Sequence, residues 1–97
     1  MQSSNNNPEA EFAAALKAAR RNRKDIEQSE VCGCYHCQSI FPPTMILEWI
    51  SPDRKGVGQT AVCPKCGNDC VIGSKAGFPL TATFLQELSL YWFFEEK

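Results

Sequence analysis

Two Cys-x-x-Cys pairs dominate this 97-residue sequence. Cys34-Tyr35-His36-Cys37 is followed, after 25 residues, by Cys63-Pro64-Lys65-Cys66-Gly67. Two cysteines three positions apart on a tight turn aim both sulfurs at one point. The intervening backbone N–H groups face those sulfurs and offset thiolate charge. Gly67 permits the backbone conformation that closes such a turn beneath a metal, and Pro64 sets one of its dihedrals in advance. Two turns together supply four thiolates, a complete tetrahedral shell for zinc. We therefore read Cys34, Cys37, Cys63 and Cys66 as the ligands of one Zn²⁺. A shell of four sulfurs has no open position for water or substrate, so the expected role of the metal is structural and no enzymatic activity is expected.

Energetics point the same way. A core this small rarely yields more than about 3–5 kcal/mol of net stability. Metal-linked folding in small zinc domains is worth about 10–16 kcal/mol. Residues 31–73 should therefore depend on the metal for their order.

Composition narrows the classes further. An apolar fraction of 43% excludes disorder along the whole chain. The formal charge is −1, from 10 Lys+Arg against 11 Asp+Glu, and four thiolates with one Zn²⁺ take it to about −3. A strongly basic nucleic-acid domain is thereby disfavoured. No run of 18 apolar residues exists to cross a membrane. The stretch Met1-Gln2-Ser3-Ser4-Asn5-Asn6-Asn7-Pro8 has no basic or apolar region of the secretory kind, so the expected compartment is the cytoplasm. Disulfides do not persist there, and clustered cysteines are metal ligands or redox groups. Three bridges among six cysteines, in any of 15 pairings, form the alternative.

Cys32 and Cys70 are left over by the two pairs. Cys32-x-Cys34 has the wrong spacing for the metal turn, and both residues read as small buried side chains. A redox pair is the lesser alternative, because the stretch after Cys66 is strand-like rather than the helix start that such chemistry uses. His36, the single histidine, lies inside the first turn. It could replace a cysteine as ligand, although an exposed ring beside the metal is the simpler reading.

Along the chain, residues 1–7 read as a disordered tail, 8–30 as a helical extension and 31–97 as the metal-binding domain. Asn7 offers an N-cap, Pro8 suits the first helical position, and Glu9 and Glu11 favour the helix dipole. One helix is expected over 8–28, supported by the i,i+4 pairs Arg21/Asp25 and Arg23/Glu27. Its apolar seam of Phe12, Leu16, Ala19 and Ile26 is thin and interrupted by Arg23, which predicts loose docking. Gln38–Phe41 reads as a strand. Pro43 starts a helical turn through Thr44–Trp49, and Ser51-Pro52-Asp53-Arg54-Lys55-Gly56 is loop chemistry. Gln59–Val62 and Cys70–Ile72 read as strands flanking a tight turn. Phe84, Leu85, Leu88, Tyr91 and Trp92 recur at helical spacing and predict an amphipathic helix over 82–94. Thr81 or Thr83 caps it, the latter in a capping box with Gln86. Phe41, Trp49, Phe84, Leu85, Leu88 and Trp92 are the expected core; most of the Leu90–Phe94 run is expected in the core too, and its remainder is a candidate contact patch.

At Cys34–Cys37 and Cys63–Gly67 the chain resembles the zinc-ribbon or rubredoxin-like superfamily. The longer stretch from Gln59 to Gly73, with Phe41-Pro42-Pro43, Glu48-Trp49, Gly77-Phe78-Pro79 and Phe84-Leu85, is similar to a group of small bacterial cytoplasmic proteins. That group carries a Thr-Ala-x-Cys-Pro-x-Cys-Gly signature. The resemblance spans residues 31–94 and departs at Cys70, where the group has Ser. It implies zinc binding in an α+β domain of short β-hairpins, here with an N-terminal helix and a C-terminal amphipathic helix. It brings no activity with it.

The expected function is a non-enzymatic protein-interaction module. One alternative is a nucleic-acid-binding ribbon using Lys17, Arg20, Arg21, Arg23 and Lys24 with the scattered Arg54, Lys55, Lys65 and Lys75. It lacks the interleaved aromatic residues of a stacking platform. The other is a rubredoxin-like electron carrier with iron in the same four sulfurs, since the ligand set suits both metals.

Overall fold

The computed structural model describes residues 8–95. The expected tail and the proposed Asn7 cap lie outside those residues. At the centre is β1, Cys32–Cys34, the middle strand of a three-stranded antiparallel sheet. It pairs with β2, Ile40–Phe41, on one side and with β5, Val71–Gly73, on the other. Cys32 stands opposite both Phe41 and Gly73, and Cys34 stands opposite Val71. The first cysteine pair thus forms the turn of the β1–β2 hairpin.

A second hairpin joins β3, Trp49–Pro52, to β4, Gly58–Ala61. Its turn is built by Asp53, whose carboxylate accepts N–H bonds from Lys55 at 2.9 Å and Val57 at 3.0 Å. The second cysteine pair lies between β4 and β5, so it connects the two sheets. The strands expected at Gln59–Val62 and Cys70–Ile72 are present, each displaced by a residue, but they belong to different sheets.

Two local expectations are corrected here. The helical turn over Thr44–Trp49 is a single 3-10 turn at Pro43–Met45, and the chain is extended from Trp49 onward. Ser51 and Pro52, expected in a loop, end strand β3. Pro52 is tolerated because β3 is an edge strand that needs no further N–H donor there.

The single helix expected over 8–28 is two: α1, Pro8–Lys17, and α2, Arg23–Glu27. Between them the backbone tightens, and Arg21 takes a left-handed φ of 47°. Asn22 explains the break. Its buried side chain donates to Val71 O at 2.7 Å and Ala18 O at 3.0 Å, and accepts from Ala61 N at 3.3 Å. One amide therefore ties the helical segment to β5 and β4 together, and a continuous helix would carry it elsewhere. Of the two expected ion pairs, Arg23–Glu27 forms at 3.1 Å; Arg21 and Asp25 make none among the described residues.

The segment is also far from loosely docked. Ala15, Leu16, Ala19 and Ile26 are buried in the same core as Cys34, Val71 and Leu85. Phe12 meets the rings of Phe84 and Tyr91, with centroids 5.7 and 5.4 Å away. These last two residues belong to α3, Ala82–Glu95. Thr81 caps α3 by accepting the Phe84 N–H at 3.1 Å. Thr83 lies inside the helix, so the capping box with Gln86 is not the device used. α3 lays Phe84, Leu85 and Leu88 over the sheet. Gly33 makes the close approach possible, since a Cβ there would sit 2.9 Å from Leu85 Cδ1.

Phe41, Phe84, Leu85 and Leu88 are buried as expected, but Trp49 and Trp92 are only half-buried. Trp49 carries the Arg23 guanidinium on its face, 4.3 Å from the ring centre. Trp92 lies against Tyr35, with centroids 6.5 Å apart. Ile26, Val71, Ile72 and Cys32 are fully buried instead.

Candidate metal centre

The two cysteine turns have the same backbone construction. In the first, Gln38 N donates to Cys34 O at 2.8 Å and Cys34 N to Ser39 O at 3.0 Å. In the second, Gly67 N donates to Cys63 O at 3.0 Å and Cys63 N to Asn68 O at 2.8 Å. The residue after each second cysteine is left-handed, with φ of 62° at Gln38 and 81° at Gly67. Glycine adopts that conformation freely. Gln38 adopts it with help from its side chain, whose Nε2 donates to Tyr35 O at 2.9 Å and His36 O at 3.3 Å.

These turns bring Cys34, Cys37, Cys63 and Cys66 together, with all four sulfurs within 4.8 Å of one another. Cys34 Sγ lies 3.7 Å from Cys66 Sγ, and Cys37 Sγ lies 3.7 Å from Cys63 Sγ. Bonded sulfurs would stand about 2.05 Å apart, so these are not disulfides, and all six cysteines are free. Four sulfurs bound at about 2.3 Å around a tetrahedral zinc ion stand about 3.8 Å apart, which matches the observed spacing. The cluster can hold a metal ion.

Hydrogen-bond donors act against the cost of burying these sulfurs. Burial pushes the Cys34 thiol up, while the N–H groups of Cys37 and His36 act against it. Burial likewise raises Cys63, opposed by the N–H groups of Cys66 and Lys65, the latter 3.3 Å from the sulfur. At Cys37 burial raises the thiol, but the hydroxyl and N–H of Ser39, with the Cys63 and Cys34 sulfurs, together outweigh it, and the thiol is lowered to about 7. Asn68 Nδ2 lies 3.5 Å from Cys66 Sγ. Each turn thus aims donors at its own sulfurs, the arrangement that stabilises a four-thiolate metal shell. Cys34 and Cys63 are buried, while Cys37 and Cys66 are partly open to solvent.

The remaining candidates fall outside the cluster. His36 is exposed, and its Nδ1 accepts from Asn68 Nδ2 at 3.2 Å rather than approaching the sulfurs. Asn68 therefore braces both His36 and Cys66, a role its sequence context did not reveal. Cys32 is fully buried, and desolvation raises its thiol to about 11. Cys70 is buried too, and desolvation raises it to about 11 against the Tyr35 hydroxyl. Both are the small buried side chains expected.

Of the basic residues singled out in the N-terminal segment, Arg23 is engaged with Trp49, Glu27 and Gly58 O, to which it donates at 2.8 Å. Arg20 and Arg21 line a concavity with Ser51, Thr60 and Asp69, and no cysteine lines it. Beside the second turn lies another concavity of about 280 Å³, lined by Leu47, Glu48, Val62, Cys63, Pro64 and Gly67. Leu47, at its edge, is 89% exposed. No helix among the described residues is long and apolar enough to cross a membrane. Compared with protein-family models, with curated proteins and with solved structures, the chain gives no significant match.

Proposed function

We propose that the chain is a cytoplasmic, non-enzymatic protein-interaction module whose fold is clamped by one structural Zn²⁺ on Cys34, Cys37, Cys63 and Cys66. The closed set of four sulfurs supports the structural role, because a filled tetrahedral shell offers a substrate nothing to bind. The observation that carries the interaction role is Leu47. A leucine 89% exposed, at the lip of an apolar concavity that abuts the metal turn, marks a surface that gains by being covered. Met45 is exposed close by in sequence, and Ile50 and Val57 are exposed on the adjoining β3–β4 hairpin.

Removal of residues 1–30 would not isolate this surface, since Ile26 and Asn22 belong to the core. Surface substitution is the cleaner test. Leu47→Glu is expected to retain zinc and the native spectrum while losing the proteins captured by the wild-type chain from its host. Capture that is unchanged by Leu47→Glu contradicts the reading. Protein that emerges red, with iron in the four sulfurs, replaces it with electron transfer.

A further inference from the structure

Among the described residues, three that are not glycine have a left-handed backbone: Arg21, Gln38 and Ser51. Gln38 belongs to the metal turn. Arg21 and Ser51 come from separate parts of the chain, yet they line one concavity of about 330 Å³ with Arg20, Thr60 and Asp69. Strained backbone of this kind persists where the surroundings hold it in place, and it clusters at ligand sites. On one wall the cause is visible. Arg21 N donates to Thr60 Oγ1 at 2.8 Å, which leaves the Thr60 O–H as a donor. On the other wall, Ser51 sits at φ 58° where the β3–β4 pairing skips it, and its hydroxyl has no hydrogen-bond partner among the described residues.

Neither the Arg20 nor the Arg21 guanidinium forms an ion pair among the described residues, although Asp69 lines the same concavity. Two exposed arginines and the exposed Ser51 thus line the concavity, with Thr60 almost fully buried beneath them. Guanidinium and hydroxyl groups are those that chelate a phosphate dianion. We infer that this concavity binds the phosphate of a phosphorylated serine or threonine on the partner protein. This rests on the protein-interaction reading and adds the chemistry that selects the partner.

A phosphopeptide fits better than a nucleic acid. The two arginines are confined to one small concavity. No aromatic side chain lines it to stack a base. The chain's formal charge is −1, which gives no long-range attraction for a nucleic-acid backbone.

The test is a chemical-shift titration of the zinc-loaded full chain. The probes are an Ala-phosphoserine-Ala peptide, its unphosphorylated form, inorganic phosphate and an oligothymidylate. The phosphopeptide and inorganic phosphate should shift the amides of Arg21, Ser51 and Thr60, in competition with each other, while the unphosphorylated peptide shifts none. Arg20→Gln removes an exposed side chain and should weaken binding about tenfold with the spectrum otherwise native. Asp69→Asn should tighten it. The proposal is overturned if phosphopeptide at about 10 mM leaves those amides unmoved, or if Asp69→Asn weakens binding. Tighter binding of the oligothymidylate at the same amides assigns the site to nucleic acid instead. None of these readings depends on Leu47, so failure here and failure of the interaction surface are separable.

Discussion

Gln38 and Gly67 occupy equivalent places in the two cysteine turns, and they reach a left-handed backbone by different means. Gly67 has open space around its α-carbon, so conformation alone decides a substitution there. Gly67→Ala is expected to cost about 1 kcal/mol in chemical denaturation at saturating zinc, with metal stoichiometry unchanged. Cys70 supplies a second test at this scale. Its thiol stays neutral in the fold up to about 11, against 9.0 as the reference value. A raised value in the folded state means stability that is complete below pH 9 and lost as pH climbs toward 11. The loss is on the order of 2 kcal/mol, and Cys70→Ala should flatten that slope. The metal-site cysteines were legible in the sequence because their spacing is a local instruction: each pair needs only its own turn. Asn68 and Gln38 were not, since bracing a sulfur or a backbone carbonyl leaves no mark in residue type or period.

The broken N-terminal helix is a lesson in elements. Residues 8–28 have the composition of one helix, and the ion pair at Arg23–Glu27 agrees with that reading. What divides the segment is Asn22, whose partners Ala61 and Val71 lie 39 and 49 residues away. No window on the sequence contains both ends of those bonds, so propensity spoke for the helix and tertiary bonding overruled it. β1 and β3 escaped notice for a similar reason. Gly33 between two cysteines, and Pro52 at a strand end, look like turn chemistry until their partners are known. Asn22→Ala should lower stability by about 3 kcal/mol, because the Val71 carbonyl and the Ala61 N–H are left buried without partners. Asn22→Asp should do no better: it keeps an acceptor but loses the donor and brings a charge into the core. Equal denaturation midpoints for Asn22→Ala and the wild type would show that the amide is incidental.

At the scale of the molecule, the second cysteine turn joins the two sheets and the first closes the hairpin at the centre of the larger one. A metal held by both turns would therefore tie both sheets together, with α1, α2 and α3 packed around the junction. Binding a metal to thiols releases protons, so affinity for zinc should fall as pH is lowered, and acid should unfold the chain by expelling the ion. The central claim is that this ion clamps the fold. Its most direct measurement is metal analysis of the purified chain, paired with its amide spectrum before and after a strong chelator. The account predicts one zinc per chain and a dispersed spectrum that collapses on chelation across residues 31–73 and returns when zinc is restored. A metal-free chain that keeps its dispersed spectrum with four reduced thiols would contradict it.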